Sequence, residues 1–494
     1  MKFHYNIKRD IIVGALIFIV MMIFFCYIHP LSILDSDDWA FLVCRRSLFP
    51  EWGIWNPSRV LPEVLMPFLS AVGRYVIMPF NNDFFRSLEL SYGLFFSVLV
   101  VIYALCFKRM IRKKLGMGYM SENLCTVLFL VFHFWILRGH ENGNQHLFFS
   151  LDVTRYFFYT IPNLLTGSFV MYIISEDFLE IYYEKGKPIQ KGIGLILIYM
   201  CIFSNLYPAV ILMAFVGKEL LDQLILLIRR KTKLKNIMLT RWVYFLCFVL
   251  WIISLIYESS GGRAGSFSTG FEFYETARLL YHGRSELNAV CAAVILTAII
   301  AAVIYLIVLK KKKVQDEEAA AFKKMVICFF ECAVICALFC FVMCSRTKPQ
   351  DITRGDLLFS VFFFGIVWGT VSTAFLSKRF SRIETVLVIA AIVLPLSLCK
   401  GERIYLEANV LNISSEKCRE INEYMINKVI DAEKKGKTNI ELPVPKTDGV
   451  GNWPFFGDME WTMRDALYSY GFTDGKIQIK LVINKKLNKV FNIK

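Results

Sequence analysis

Long apolar runs are the feature that most constrains the fold of this chain. They are roughly 15 to 22 residues long and alternate with short basic loops, and about 20 apolar residues in a helix cross the hydrocarbon core of a bilayer. The 494 residues are 56% hydrophobic, with a mean hydropathy of +0.51, more apolar than soluble domains. We predict an all-α polytopic membrane protein with about eleven transmembrane helices, at residues 11–28, 90–107, 124–137, 156–175, 192–204, 208–228, 242–257, 289–309, 325–344, 357–376 and 385–399.

Basic residues determine the predicted orientation, because Lys and Arg near the spans stay in the cytoplasm. Lys2, Lys8 and Arg9 precede the first span, which places the N-terminus in the cytoplasm. With an odd number of spans, the C-terminus is then extracytoplasmic. The basic loops independently fall on the predicted cytoplasmic side, at residues 108–114, 229–235, 310–313 and 378–382.

The net charge of +15 does not indicate nucleic acid. Most of it lies in the short loops, where membrane topology and anionic lipid headgroups account for it. We expect no cleavable signal peptide, because the first apolar segment is longer than the core of such a peptide and no A-x-A-like site follows it. The lipid bilayer is therefore the predicted partner of most of the chain.

Residues 1–399 form the predicted multi-spanning catalytic domain, and residues 400–494 a polar extracytoplasmic domain. We predict a small α+β appendage there, with helices at 415–434 and 461–470 and strands at 439–444 and 476–484. Its aromatic residues either cover a site in the membrane, contact an acceptor, or form a small core; they are Trp453, Phe455, Phe456 and Trp461.

An acidic cluster follows the first span directly. Asp35, Asp37 and Asp38 begin the first outer loop, residues 30–89, and charges beside a span are costly unless they function or face water. Within this loop, residues 61–80 are apolar but contain Pro62, Glu63 and Arg74, a pattern typical of an interfacial helix.

The positive charges of the outer loops before the C-terminal domain are arginines, with one lysine, Lys348. Insertion bias predicts few such charges but does not select arginine, whose planar fork of donors suits phosphate and carboxylate. Most of these arginines are expected to pair with nearby acids such as Glu51, Glu63 and Asp83, and two or three to bind an anionic ligand. The predicted substrate-binding arginines are Arg59, Arg138, Arg155, Arg263, Arg346 and Arg354.

The second outer loop, residues 138–155, adds His140, Glu141, His146 and Asp152 to two of these arginines. We include His140 and Glu141 among the substrate-binding candidates. Their spacing matches no firm metal signature, so a hydrogen-bond network is favoured over a metal site, and no divalent metal or other cofactor is predicted as required. The glycine-rich stretch around Arg263 is either an anion-binding loop or a flexible linker.

Five of the 14 cysteines recur at every fourth residue of one span, from Cys328 to Cys344. This stripe favours close helix packing over a redox or metal role, and the cysteines as a whole do not form a disulfide or zinc framework.

Three chemistries compete for the acidic cluster. Asp35-Ser36-Asp37 spells DxD, a metal and nucleotide-sugar motif, but three residues match often by chance and nucleotide sugars are cytoplasmic. A transporter carboxylate usually lies at mid-membrane depth, where Glu331 is the clearest acid. The third chemistry is a general base, Asp37 or Asp38, accepting a proton from a sugar hydroxyl while outer arginines neutralise a departing lipid phosphate.

At the residues SDDW (36–39), and more loosely WNPSR (55–59) and GGRAGS (261–266), the chain resembles the C superfamily of integral-membrane glycosyltransferases (GT-C). The layout is similar to bacterial members that decorate surface polysaccharides. In that superfamily an acidic residue or pair lies in the first extracytoplasmic loop, as Asp37 and Asp38 do here.

The resemblance implies a protein of the bacterial plasma (inner) membrane. It implies transfer of a sugar from a polyprenyl phosphate carrier to a cell-envelope glycan, with inversion, and a flippase and a carrier-charging synthase as possible protein partners. Two alternatives stay open: a lipid-linked glycan flippase or transporter, and a polysaccharide polymerase or ligase that uses a diphosphate carrier.

Overall fold

The computed structural model describes residues 7–139, 145–176, 187–266, 270–313, 316–380, 384–398 and 405–493. It is 75% helical, which confirms the all-α polytopic class. We number the helices and strands in chain order: α1 Ile7–Ile23, α2 Ser36–Leu42, α3 Val60–Asn81, α4 Phe84–Leu115, α5 Tyr119–Trp135, α6 Val153–Glu176, α7 Pro188–Ile202, α8 Leu206–Ile228, α9 Leu234–Ser260, α10 Phe273–Gly283, α11 Ala289–Lys311, α12 Glu317–Arg346, α13 Phe359–Arg379, α14 Glu384–Leu398, α15 Ser415–Lys434, β1 Asn439–Val444, α16 Asp458–Ser469, β2 Gln478–Ile483 and α17 Lys486–Phe491.

Eight of the described helices are long and apolar enough to cross a membrane. They are Lys8–Ile28, Val60–Asn81, Phe84–Leu115, Val153–Glu176, Leu234–Ser260, Ala289–Lys311, Glu317–Arg346 and Phe359–Arg379. Each of the eleven predicted spans coincides with a helix, but several of these helices are shorter or more charged, so the number eleven stays a prediction. Val60–Asn81, for which the sequence predicts an interfacial helix, is among the eight.

Polar side chains at the loop ends start several of these helices. Asp83, Asn288 and Asp316 each accept a hydrogen bond from a backbone N–H in the first turn of α4, α11 and α12. Such caps satisfy donors that have no partner inside the helix. Helix α4 then runs for 32 residues to Gly116, whose left-handed φ of 59° closes its last turn.

The longest helix extends to an end of the bundle where charged residues of the N-terminal segment and two loops meet. At about 1.5 Å per residue, α4 extends roughly 48 Å, and it packs against α1 and α6. At one end, Asp10 pairs with Lys108 at 2.8 Å and with Arg112 at 2.7 Å. Lys378 reaches the carbonyl of Leu115 there, so two loops predicted as cytoplasmic lie at one end with the N-terminus.

The cysteine stripe lies buried in the bundle. Helix α12 packs between α8 and α13, and its five cysteines are all buried. The Cys336 thiol faces the carbonyl of Val210 at 3.9 Å, and the Cys340 thiol that of Leu357 at 3.7 Å. Among the described residues all cysteines are free thiols. These contacts support the helix-packing interpretation.

The C-terminal region packs directly on the other end of the bundle. It contains α15, α16 and α17 and a parallel pair of strands, β1 and β2, and α15 and β1 have the bounds predicted from sequence. Arg419 pairs with Glu89 at 2.7 Å, and the Tyr470 hydroxyl donates to the carbonyl of Leu42 at 2.7 Å. That this region is extracytoplasmic stays a prediction.

Candidate functional site

A cavity of about 1390 Å³ lies where the predicted outer loops meet the C-terminal region. Its walls are α2 and the loop after it, the starts of α6 and α8, the end of α9, the loops after α9 and α12, and α16. Five of the predicted site residues line it, although they come from four separate predicted outer loops. They are Asp37, Arg59, Arg155, Arg263 and Arg354.

The turn that presents Asp37 is held by its two acidic neighbours. Asp35 caps α2 and accepts a hydrogen bond from the backbone N–H of Asp37 at 2.9 Å. Asp38 Oδ2 accepts from the backbone N–H groups of Leu34 and Asp35, each at 3.2 Å. This reciprocal capping box fixes the first turn of α2 and directs Asp37 outward.

Asp38 also binds the turn to a distant helix. Its Oδ1 accepts from both the backbone N–H and the hydroxyl of Thr154 at 2.8 Å, at the start of α6. An ionised carboxylate has about four acceptor positions, so all of those on Asp38 are used by protein donors. Asp38 is 1% exposed. Of the two predicted bases, only Asp37 has a carboxylate open to a substrate.

Asp37 is solvent-exposed within the cavity. Enough protein surrounds the cavity that desolvation raises the pKa of Asp37 above its ordinary value, and the charge of Asp458 raises it further. The Arg263 and Arg155 guanidinium groups act in the opposite direction and lower this pKa. Asp37 thus lies within electrostatic range of both arginines and of an acid on α16.

Arg59 is a buried cation at the start of α3. It is 8% exposed, lies 3.6 Å from Glu258, and has its guanidinium 5.7 Å from the ring centre of Phe158. Glu258 also accepts from the Ser58 hydroxyl at 2.7 Å. Within the described part of the chain, Nε and Nη1 of Arg59 are buried and have no hydrogen-bond partner. These donors would be satisfied by an anion in the cavity.

Arg263 lies close to Arg59, and this proximity is the largest cause that lowers the pKa of Arg263. Arg59, Arg263 and Arg354 all interact electrostatically with Tyr159. Two guanidinium groups close enough to disfavour each other's charge would both be stabilised by an anion placed between them. We call Arg59, Arg263 and Arg354 the arginine cluster.

The glycines beside Arg263 have a packing role. A Cβ on Gly261 would lie 2.5 Å from the Pro57 ring, and one on Gly262 would lie 2.7 Å from the Trp55 ring. The backbone N–H of Gly262 donates to the carbonyl of Ile54 at 3.1 Å. The glycines therefore allow the first outer loop to pack closely on the end of α9, next to Arg263.

Four of the lining arginines are paired with acids, as expected for most of the outer-loop arginines, and two of these pairs are Arg46 with Glu63 and Arg59 with Glu258. Arg354 binds both oxygens of Asp356, at 3.1 and 2.7 Å, and Arg155 contacts Asp152 at 2.8 Å. Burial, together with the charge of Asp37, raises the pKa of Asp152 above its ordinary value, although Arg155 and Arg354 act in the opposite direction.

Two of the other predicted substrate-binding arginines, Arg138 and Arg346, are not among the described residues that line the cavity. Arg138 stacks on Trp135 and Tyr405, at 5.4 and 5.3 Å from their ring centres. Arg346 lies 6.0 Å from the ring centre of Phe271. Neither is a lining residue. His140 and Glu141 lie outside the described residues.

Sequence analysis missed several residues of this cavity. Glu258 ends the apolar run of α9, and its position three residues before Gly261-Gly262-Arg263 was an available signal. Arg46 lies 3.3 Å from Glu63 in a buried pair, and Glu63 was named only as a general partner for arginine. Asp458 of α16 also lines the cavity and had no signal in the local sequence, whereas Trp461 was among the aromatic residues for which covering a site was one of the alternatives.

The charges of the cavity are nearly balanced. Its wall contains seven basic and eight acidic residues, so no uniform field attracts anions, and anion binding depends on the local arginine cluster. No group of three or more His, Cys, Asp or Glu able to hold a metal occurs among the residues that the structure describes.

Comparison with known proteins identifies no relative of this chain. A proposal for the function of this chain therefore rests on the geometry of the cavity. No family model matches the sequence, no curated protein matches it, and no solved structure matches its fold.

Proposed function

We propose that the protein is an integral-membrane glycosyltransferase of the GT-C type, in the plasma (inner) membrane of a bacterium. It transfers a sugar from a polyprenyl phosphate carrier to a cell-envelope glycan at the outer face of the membrane, with the N-terminus cytoplasmic and the C-terminus extracytoplasmic. The observation that carries the proposal is one cavity holding both an accessible carboxylate, Asp37, and the arginine cluster.

The proposed reaction is a single displacement. The oxygen of an acceptor hydroxyl attacks the anomeric carbon, and its proton passes to the Asp37 carboxylate. The bond from the anomeric carbon to the phosphate oxygen breaks, and polyprenyl phosphate leaves with the electron pair. Attack on the face opposite the leaving group inverts the configuration.

The arginine cluster has a separate part in this reaction. Negative charge grows on the leaving phosphate, and fixed cations aimed at that charge stabilise the transition state. The buried donors of Arg59 and the nearby guanidinium of Arg263 are already held in place, so they can stabilise this charge without a costly rearrangement. Arg354 is already held by Asp356 and contributes its charge at longer range.

If Arg263 binds the carrier phosphate, Arg263→Lys should impair transfer although the positive charge is kept. Lysine lacks the two-pronged donor geometry, and its ammonium is more strongly hydrated. The assay measures sugar transfer by the purified protein in nanodiscs. The donor is a short-chain polyprenyl-phosphate sugar, and the acceptor is envelope glycan from the cells in which the protein occurs. We expect weaker carrier binding, seen as a higher apparent KM for the polyprenyl-phosphate sugar, with unchanged thermal stability.

The matched control is Arg278→Lys, because Arg278 is an exposed arginine paired with Glu275 on α10. Such surface pairs contribute only about 0–1 kcal/mol, so this variant should transfer normally. If Arg263→Lys bound the carrier as tightly as wild type, Arg263 would not be part of the phosphate site. Absence of any transfer by the wild-type protein would refute the proposed activity.

A further inference from the structure

One face of α16 forms a wall of the cavity. The lining residues of this helix are spaced by three, four and seven positions, which places them on one side of an α-helix. The opposite side is buried and includes Met459 and Met463. The wall presents Asp458, Trp461, Thr462, Asp465, Tyr468 and Ser469.

The aromatic residues of this wall are open to a ligand. Trp461 is 53% exposed and Tyr468 is 57% exposed. Among the described residues, neither ring stacks on another aromatic ring. Exposed aromatic faces beside hydroxyl and carboxylate groups match a sugar, which has apolar C–H faces and a rim of hydroxyl donors.

The carboxylate of Asp458 is also available. It makes no hydrogen bond or ion pair within the part of the chain that the structure describes. It lies close enough to Asp37 to act on it electrostatically. A sugar with one hydroxyl at Asp37 therefore has a second acceptor nearby at Asp458.

The same two carboxylates restrict the class of ligand. An acidic glycan, such as one with uronic acids or phosphodiesters, would bring like charge to two aspartates, and like charges in close contact cost binding energy. An uncharged saccharide donates its hydroxyl protons to both without this cost.

We propose that this face of α16 is the acceptor subsite and that it selects an uncharged, hydroxyl-rich glycan, stacked on Trp461 and hydrogen-bonded to Asp458. This inference rests on the proposed function for the identity of the ligand as acceptor. It assigns the C-terminal region a direct part in choosing the substrate, in addition to its packing on α2.

The test is direct glycan binding by the full-length protein in nanodiscs. Envelope polysaccharide from the parent organism is separated by anion exchange into a neutral and an acidic pool, and each is labelled. We expect the neutral pool to bind, and Trp461→Ala to weaken that binding by about tenfold, as truncation of an aromatic anchor typically does. Asp458→Asn should weaken it as well.

Matched controls separate the subsite from general damage. Trp52→Ala removes another exposed tryptophan, 64% accessible, that does not line the cavity. Asp448→Asn removes an exposed aspartate from the same C-terminal region. Both should bind the neutral pool normally. Thermal unfolding checks that all four variants fold.

Three results would overturn the inference: preferential binding of the acidic pool, binding of the neutral pool that Trp461→Ala leaves unchanged, or binding of neither pool. Binding of short-chain polyprenyl phosphate is measured in parallel and should not respond to Trp461→Ala. Trp461-dependent binding of the neutral pool without any sugar transfer would leave the subsite standing and refute the glycosyltransferase.

Discussion

Two adjacent aspartates with the same side chain lie in different environments because their hydrogen-bond partners differ. Asp38 is surrounded by four protein donors, whereas Asp37 faces the cavity. Neither sequence position nor residue type separates them. The distinction depends on Thr154, which is 116 residues away from Asp38.

The charges around Asp37 predict the pH dependence of transfer. A base works only when ionised, so transfer should fall as the pH drops through the pKa of Asp37, which is raised above the ordinary aspartate value of about 4. Arg263→Gln removes a cation that lowers this pKa, so the acidic limb should move to higher pH. Asp458→Asn removes an anion that raises it, so the limb should move to lower pH.

The measurement is the pH profile of kcat/KM for each variant. The quantity compared is the pH at which the acidic limb inflects, and not the height of the profile. Arg155 and Asp152 also lie near Asp37 and are unchanged in both variants. Identical inflections, or shifts in the reverse directions, would show that Asp37 is not the titrating base.

At the scale of secondary structure elements, the bond between α2 and α6 positions the site. Thr154→Val keeps the shape of the side chain but removes the hydroxyl that donates to the buried Asp38 carboxylate. A hydrogen bond to a charged group contributes about 1.5–3 kcal/mol, so we expect a lower thermal midpoint. Transfer should also fall, because the turn that presents Asp37 loses one of its restraints.

The control for this prediction is Thr240→Val, since the Thr240 hydroxyl is exposed and, among the described residues, donates to the carbonyl of Asn236 in its own helix. We expect a change within about 0.5 kcal/mol there. Equal thermal midpoints for Thr154→Val and wild type would contradict the structural importance of this bond.

Helices were predictable from sequence because apolar length is a local property. The helix 415–434 and the strand 439–444 in the C-terminal region were also predicted from the sequence with the bounds that the structure shows. The pairing of helices was not. The contact of Ser58 with Glu258 joins residues 200 positions apart, and no local pattern encodes it.

At the scale of the whole molecule, the sequence predicted that acids and arginines from separate outer loops share one site, and five of the named residues do line one cavity. It did not separate Arg138 and Arg346 from the rest, because an arginine stacked on aromatic rings has the same local sequence signature as one that faces a cavity. It left open whether Trp461 of α16 covers a site, contacts an acceptor or joins a small core, since that depends on how the C-terminal region packs on α2.

The central claim is that Asp37 is the base and that Asp38 holds it in place. Sugar transfer and thermal unfolding of Asp37→Asn and Asp38→Asn, measured side by side in nanodiscs, test it most directly. Asp37→Asn should lose transfer by about 10²–10⁴-fold with an unchanged thermal midpoint and unchanged carrier binding. Asp38→Asn should lower the midpoint, because an amide nitrogen would face buried donors at a cost of about 1–3 kcal/mol. Near-normal transfer by Asp37→Asn, or loss of transfer by Asp38→Asn at full stability, would contradict the account.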